Sequence, residues 1–421
     1  MSKIQDMKNK ANAFASKIMG SNCYIVVVYL VSIIFLVILT YSIYFSRESS
    51  KKSRTLAQME KNKENIDNDS SLPTITALES FEYNKKTDEG FSYALIDYYV
   101  FGSFNSCCQG DVINGYVSLE ALKNVISYGV RLLDFELYFK DGKVVVAAGR
   151  DNVYIKDTYN HLELGTVLSE VKRLALRGGG GNSNSSDPLI LNFRVVSNNP
   201  NIYHILENKI MKYFSDYLAD RRFGKEGTIT EDGSLQQDRN IFFTNFNNLS
   251  GKVLIFVDDP NRNYLDYPRF YELVNGATSG TISLYTDYQV KNENTPEKYR
   301  EDSHYKFTIS KPDVMENVNS SWRIHHANGV QGVLMNFGGN YFDDNMKSYI
   351  TKFARERKAF VLKPTHLQRT RIAAKLPTTQ DPRLNPAGGP VVVTAGDFKL
   401  LLEDSSGQPR EAPHGGNHAN T

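Results

Sequence analysis

Between residues 91 and 366, short apolar runs alternate with stretches in which apolar side chains recur every three or four positions. The runs predict buried β-strands, and the wider spacing predicts amphipathic helices between them. The predicted strands are residues 93–101, 131–139, 143–148, 189–195, 252–257, 281–286, 332–337 and 359–364. The predicted helices are residues 118–128, 164–176, 202–218 and 343–357. Strands that alternate with helices are typical of parallel α/β folds, so the pattern predicts one (β/α)8 TIM barrel.

A different pattern lies near the N-terminus, where residues 23–45 contain no charged side chain. As a helix this segment would extend about 34 Å, which is enough to cross the hydrocarbon core of a bilayer. Tyr24, Tyr29, Tyr41 and Tyr44 lie towards its ends, as interfacial aromatic residues do. The run is too long for a cleaved signal peptide, and no small-residue cleavage site follows, so it predicts a single transmembrane helix with the lipid bilayer as partner. Basic residues on both sides leave the orientation open.

The other segments are polar. Residues 1–22 form a basic N-terminal segment, and residues 46–90 are predicted to be a stalk that is partly helical at best. Residues 367–421 contain many glycines, prolines and charges, which predicts an extended tail with one short strand within residues 391–403. Residues 1–22 and residues 46–65 each carry a net charge of +3, so the remainder of the chain carries about −4. This distribution argues against a nucleic-acid-binding protein.

The three cysteines are Cys23, Cys107 and Cys108. An odd number without zinc-ligand spacing implies no disulfide framework.

Several collinear motifs resemble the catalytic barrel of eukaryotic phosphoinositide-specific phospholipases C, in both its X and Y halves. The motifs are VFGSFNSCC (100–108), SLEALKNVISYGVRLLDFELYFKDGKVVVAAG (118–149), DPLILNFRV (187–195) and GVQGVLMNFGGNYFDDNMKSYITKFARERKAFVLKP (329–364). The resemblance runs from about Tyr93 to Pro364 and implies a TIM barrel of phospholipase C type.

The resemblance also implies positions for the catalytic groups. In the family, two histidines perform general acid and base catalysis; these fall on Phe104 and Ala148, neither of which can transfer a proton. The phosphate-binding lysines fall on Phe256 and Asp258, and an arginine of the Y half falls near Ile309. The expected activity is therefore lost, and the protein is expected to be a pseudoenzyme.

The family holds a calcium ion with one asparagine and three carboxylates. The asparagine is retained as Asn105, and the first two acids are retained in inverted order as Asp134 and Glu136. The fourth ligand falls on Arg194, a fixed cation where an anion is needed, so the calcium site is expected to be lost. We predict that Arg194 replaces the metal and bonds to Asp134 or Glu136, with Phe104 capping the pocket. The alternative is that Arg194 points to solvent and the acids bind water.

These expectations favour a membrane-anchored, catalytically inactive barrel that acts as a structural or interaction protein with protein partners in an assembly. A phosphoinositide headgroup-binding module and an active phosphodiesterase are the alternatives. The anchored polar stalk and degenerate enzyme fold suggest a virion membrane protein of a large eukaryotic DNA virus. The alternative location is the cellular endomembrane system, for which Asn68, Asn184, Asn248 and Asn319 head possible glycosylation sequons.

Overall fold

Eight parallel strands form a nearly closed barrel. The computed structural model describes residues 2–19, 22–87, 90, 92–150, 154–176, 183–219, 240–278, 280–292, 296–313, 318–339, 342–369, 392–395 and 398–401. The barrel strands are β1 (Tyr98–Phe104), β2 (Leu132–Lys140), β5 (Leu189–Val195), β6 (Val253–Asp258), β7 (Gly276–Ala277), β8 (Ile282–Thr286), β9 (Phe307–Lys311) and β10 (Gly332–Asn336). They are neighbours in chain order, and β10 pairs with β1. The α/β barrel predicted from the sequence is confirmed.

Three further strands lie outside this parallel set. β3 (Lys143–Ala147) is antiparallel to β2 and pairs with the short β4 (Leu162–Glu163), while β11 (Phe360–Leu362) is antiparallel to the first half of β1. The prediction that residues 143–148 and 359–364 are barrel strands is therefore wrong. The barrel instead uses β7 and β9, which the apolar pattern did not indicate.

Helices cover the outside of the barrel. They are α3 (Ser80–Tyr83), α4 (Leu119–Ser127), α5 (Leu164–Ala175), α6 (Asn201–Phe214), α7 (Pro268–Tyr271), α8 (Asp287–Asn292), α9 (Glu297–Tyr305), α10 (Trp322–Ala327) and α11 (Asp344–Glu356). The four predicted helices are confirmed as α4, α5, α6 and α11. Ser118 caps α4 by accepting from the backbone of Ala121, and Asp343 caps α11 in the same way, which fixes where these helices begin.

Two helices precede the barrel, α1 (Ser2–Met19) and α2 (Asn22–Asp67). The described apolar part of α2, from Ile25, is long and apolar enough to cross a membrane, and none of its most apolar window is buried. Beyond Phe45 the helix continues without a break, and Met59 and Thr55 are buried against the barrel. The prediction of a stalk that is partly helical at best is therefore wrong for residues 46–67.

The chain divides into two compact units, Met1–Arg369 and Thr370–Thr421. In the second unit, the described residues form a hairpin of β12 (Val392–Ala395) and β13 (Phe398–Leu401). The tail therefore contains two short strands where the sequence predicted one.

Candidate functional site

The polar site residues predicted from the sequence meet at one end of the barrel, where the carboxyl ends of the parallel strands lie. This end is called the mouth below. Asp134 and Glu136 are two residues apart on β2 and therefore point to the same side of the sheet. On β5, Arg194 pairs in register with Glu136 on one side and with Asp258 of β6 on the other. The strand register thus places a cation between acidic residues.

The Arg194 guanidinium bonds to all three retained ligand positions. Its Nε lies 3.1 Å from Asp134 Oδ1, and its Nη2 lies 3.1 Å from Glu136 Oε2. The same Nη2 donates to Asn105 Oδ1 at 2.6 Å and to Asp134 Oδ2 at 3.1 Å. The predicted contact between Arg194 and the two acids is therefore present, and the alternative of a solvent-directed Arg194 is not observed. We call Asn105, Asp134, Glu136 and Arg194 the Arg194 cluster.

Phe104 forms the apolar wall of this cluster. The guanidinium carbon of Arg194 lies 4.8 Å from the centre of the Phe104 ring, a distance at which cation and ring attract each other. Phe104 ends β1, and Asn105 directly after it has a φ of 40°, a left-handed conformation that asparagine tolerates. The side chains of Arg194 and Asp134 are 4% and 0% exposed, so the pair is shielded from water.

Two residues that were not singled out in the sequence complete the hydrogen bonding. Asn192 donates to Asp134 Oδ1 at 2.8 Å, and Tyr138 donates to Glu136 Oε1. Asn192 is two positions before Arg194 on β5, and Tyr138 is two positions after Glu136 on β2. Their spacing could have indicated them, because side chains two positions apart on a strand lie on the same face of the sheet.

The electrostatics follow from burial and from charge. Burial alone would lower the pKa of Arg194, but Asp134 and Glu136 outweigh it and raise the pKa above its ordinary value. Burial raises the pKa of Glu136, while Arg194 and the Tyr138 hydroxyl act in the opposite direction. The guanidinium is therefore held charged, and its charge opposes the rise that burial causes in the pKa of Glu136.

The other positions named from the sequence lie around the barrel interior. Ala148 is fully buried and follows Ala147, which pairs with Glu136 across β2 and β3. Phe256 and Ile309 are fully buried apolar side chains of β6 and β9. Asp258 accepts from Thr278 at 2.8 Å, and burial raises the pKa of its carboxyl group.

The cluster does not fit a calcium ion. A calcium site needs six to eight oxygen ligands that face one cation. Here, oxygens of Asn105, Asp134 and Glu136 are already engaged by a guanidinium, and a second cation among them would meet the Arg194 charge at close range.

A cavity of about 580 Å³ opens beside the cluster at the mouth. Its lining includes three cationic side chains, Arg150, Arg194 and Lys311, and three acidic side chains, Glu136, Asp258 and Asp259. Arg150 is paired with Asp157 through two hydrogen bonds of 3.1 Å. The cavity therefore has mixed charge, and none of its described lining residues is a histidine.

The adjacent histidines of α10 have other partners. His325 Nε2 lies 2.8 Å from Asp287 Oδ1, and His326 stacks on Tyr99 with ring centres 3.9 Å apart. Burial lowers the pKa of His326 well below its ordinary value, which favours the neutral ring. This pair is a packing feature of the barrel wall.

The barrel with this mouth has the fold of phosphoinositide-specific phospholipase C catalytic barrels. Two solved structures illustrate it, PLC21 of L. pealei (19% identity, TM-score 0.50) and PLC21 of S. officinalis (19% identity, TM-score 0.51). Each alignment covers 65% of this chain and 37% of the other chain, so the present chain matches only about a third of the length of those proteins. No family model matches the chain, and no curated protein matches it.

Proposed function

We propose that this protein is a membrane-anchored, catalytically inactive barrel of phospholipase C type that serves as a structural or interaction module. The observation that carries the proposal is the Arg194 cluster, in which a guanidinium occupies the place between carboxylates that the resemblance assigns to a metal.

Loss of activity is supported by the side chains at the mouth. Phe104 and Ala148 have no titratable group where the resemblance implies the two histidines. Cys107 and Cys108 next to Phe104 are buried, and burial raises the pKa of both thiols, so neither is a ready nucleophile. Asp258 and Glu136 are the remaining candidate acids or bases among the described lining residues of the cavity, because burial raises the pKa of both.

Weak binding of anionic headgroups is supported by the charge balance of the cavity. Arg150 is already paired with Asp157, and Asp258 and Asp259 line the same space as Lys311. A phosphate in this cavity would meet carboxylates as well as cations, which reduces the net attraction.

Anchorage through residues 23–45 is supported by the length and exposure of the apolar part of α2. We extend the proposal to a virion membrane, with a cellular endomembrane as the alternative. Detection of the chain in purified particles, in a fraction that resists carbonate extraction, would support the first location.

The test uses the full chain in vesicles that contain phosphatidylinositol 4,5-bisphosphate and calcium. We expect no release of inositol phosphates by the wild type, and no difference between the wild type and Asp258→Asn. Hydrolysis by the wild type that is lost in Asp258→Asn or Glu136→Gln would refute the pseudoenzyme and establish an active phosphodiesterase. Binding of the same vesicles in preference to neutral ones, abolished by Lys311→Ala, would instead favour a headgroup-binding module.

A further inference from the structure

Helix α2 connects the apolar segment to the barrel without a loop, so its path along the barrel determines which end of the barrel faces the bilayer. The helix touches the barrel at several points between Tyr44 and Asp67, and these contacts occur in a definite order.

The first contacts join the end of the apolar segment to loops at the mouth. The side chain of Tyr44 interacts with that of Tyr159, and the rings of Tyr159 and Tyr116 lie 5.3 Å apart. Tyr116 donates to the backbone oxygen of Glu48 at 3.2 Å. Tyr116 belongs to the segment between β1 and α4, which leaves the carboxyl end of β1, so this tyrosine cluster lies at the mouth.

The next turns of α2 contact the same β1–α4 segment. Lys51 donates to the backbone oxygen of Asn114 at 2.8 Å and lies 3.3 Å from Asp111. Gln109 donates to Thr55 Oγ1 at 3.1 Å. These are contacts of different kinds to one segment, so this part of the helix is held in position as well as in orientation.

The last turns of α2 reach the opposite end of the barrel, although Asn62 still donates to the backbone oxygen of Gly339, after β10, at 3.4 Å. Asn124, near the end of α4, donates to the backbone oxygen of Met59 at 3.3 Å. Lys63 lies 5.0 Å from the centre of the Tyr128 ring, just before β2 begins. The helix therefore runs from the mouth to the amino-terminal end of the strands, and its apolar segment projects beyond the mouth.

Exposed apolar side chains are concentrated at the same end. Among the described barrel residues, those in segments at the mouth are Tyr154, Ile155, Tyr159, Leu265, Tyr288 and Val318. At the opposite end the exposed ones are Phe81 in α3 and Tyr305 at the end of α9, and Ile324 is exposed in α10 between the two ends. Ile155 and Phe81 are similarly exposed, at 71% and 68%.

We propose that α2 is a rigid strut that holds the barrel with its mouth towards the bilayer in which the chain is anchored, so that the mouth segment 154–159 rests on the lipid surface. A rise of about 1.5 Å per residue places Lys52, which contacts Tyr116, about 12 Å from the level of Tyr44. Tyr44 is in the last turn of the apolar segment, and Tyr116 donates to the backbone of Glu48 one turn further on, so the mouth lies at the level of the headgroups. Any ligand of the mouth cavity would then come from the membrane surface. The inference rests on the anchorage in the proposed function, but not on the loss of activity.

The test compares Ile155→Cys with Phe81→Cys in the full chain, each in a Cys23→Ser background. The native Cys107 and Cys108 are buried and do not compete for label. Each variant is labelled with a small environment-sensitive fluorophore, reconstituted into phosphatidylcholine vesicles and quenched with lipids that carry a nitroxide at the headgroup. We expect several-fold stronger quenching at position 155 than at position 81. Equal quenching, or stronger quenching at position 81, would overturn the inference.

A second variant tests the strut itself. A flexible Gly-Ser insertion between Phe45 and Ser46 leaves the anchor and the barrel contacts of residues 48–67 in place, but breaks the continuity of the helix. We expect the difference in quenching between positions 155 and 81 to become smaller. An unchanged difference in quenching would refute the proposal that α2 is a rigid strut. Carbonate extraction of the same vesicles distinguishes failure of the anchorage from failure of the orientation. A chain that carbonate extracts is not anchored in the bilayer. A chain that is retained, but is quenched equally at positions 155 and 81, is anchored with its barrel in another orientation.

Discussion

The most direct test of the site is removal of the guanidinium from the Arg194 cluster. In Arg194→Met the apolar stem is kept, but Asp134 and Glu136 lose their common cation. Both carboxyl groups are almost fully buried, at 0% and 2% exposure, so water does not replace the lost partner. Breaking a buried ion pair in this way costs about 3–5 kcal/mol in the free energy of unfolding.

Part of this cost is offset by hydrogen bonds that remain. Asp134 still accepts from Asn192 and from the backbone of Asn105, and Glu136 still accepts from Tyr138. We therefore expect a loss of about 3 kcal/mol, at the lower end of the range for buried pairs. Neutralising the acids as well, in Arg194→Met with Asp134→Asn and Glu136→Gln, should restore part of the stability, since no uncompensated charge is then buried.

The loss should also depend on pH. Burial raises the pKa of Glu136 above its ordinary value of 4.5, and Arg194 opposes this rise. Without Arg194 the native-state pKa rises further, so the folded variant binds a proton that the unfolded chain binds only near pH 4.5. A native state with the higher pKa gains stability as pH falls. The difference in the free energy of unfolding between Arg194→Met and the wild type should therefore be largest near pH 8 and become smaller towards pH 5.

The assay is urea unfolding of the full chain in a mild detergent, followed by the fluorescence of Trp322, the single tryptophan. With a slope of roughly 2–3 kcal/mol per molar urea, a loss of about 3 kcal/mol lowers the midpoint by about 1–1.5 M. Arg173→Met is the matched control, because Arg173 is 54% exposed and paired with Glu170 on a helix surface. A surface pair contributes at most about 1 kcal/mol. Equal midpoint shifts for the two variants, or a shift that does not change with pH, would refute the buried-pair account.

Two further predictions concern the barrel surface and its base. If the barrel lies in a glycosylating lumen, glycans should occur at the exposed Asn68 and Asn248 but not at Asn184 and Asn319, whose amides are buried and donate to backbone oxygens. Mass spectrometry of tryptic peptides, with Asn→Gln variants at each position, checks this, and a glycan on a buried asparagine would contradict the fold. Burial lowers the pKa of Lys363 from 10.5 to about 7. Between about pH 7 and pH 10 the unfolded chain binds a proton at Lys363 that the folded chain does not, so the free energy of unfolding should rise with pH over this range. The midpoint of thermal unfolding should therefore depend less on pH in Lys363→Met than in the wild type.

The sequence was most informative where the periodicity was strong. The helices at residues 164–176 and 343–357 have apolar faces that pack on the barrel, and they were placed within one residue of the observed ends. The central strands at residues 131–139 and 189–195 are mostly apolar because both faces of a parallel strand are buried, and most of their few charged or amide residues are those of the site. A strand that is buried on both faces has apolar residues at successive positions, so these strands could be predicted from the sequence.

The errors arose where pairing partners decide the fold. β3 has as apolar a sequence as a barrel strand, but the turn at Asp141 and Gly142 folds it back antiparallel on β2. β9 has the sequence FTISK, in which apolar residues alternate with small polar ones. Thr308 and Ser310 are polar, but they are buried because neighbouring strands cover them. Strand identity here depends on neighbours, which local sequence does not specify.

The continuation of α2 was missed for a similar reason. Residues 46–67 carry many charges and only a weak apolar pattern, so an isolated helix was not indicated. The helix is supported by tertiary contacts, including the burial of Met59 and Asn62 against the barrel. At the mouth, by contrast, the Arg194 contacts were predictable, because fixed strand spacing and a cation among acids leave few favourable arrangements.

The same spacing gives the converse prediction, that one substitution restores a cation site. Arg194→Glu would place a third carboxylate beside Asp134 and Glu136, with the Asn105 oxygen completing the set that the resemblance implies for calcium. Without a metal, three buried acids repel each other and the variant should be strongly destabilised. With calcium, ligand binding to the native state stabilises it in proportion to RT ln(1 + [L]/Kd). We therefore expect the midpoint of thermal unfolding of Arg194→Glu to rise with calcium, whereas the wild type and the surface control Arg173→Glu should show the same midpoint in calcium and in chelator. If calcium stabilised the wild type as much as the variant, the guanidinium would not be what excludes the metal, and the account of the Arg194 cluster would fail.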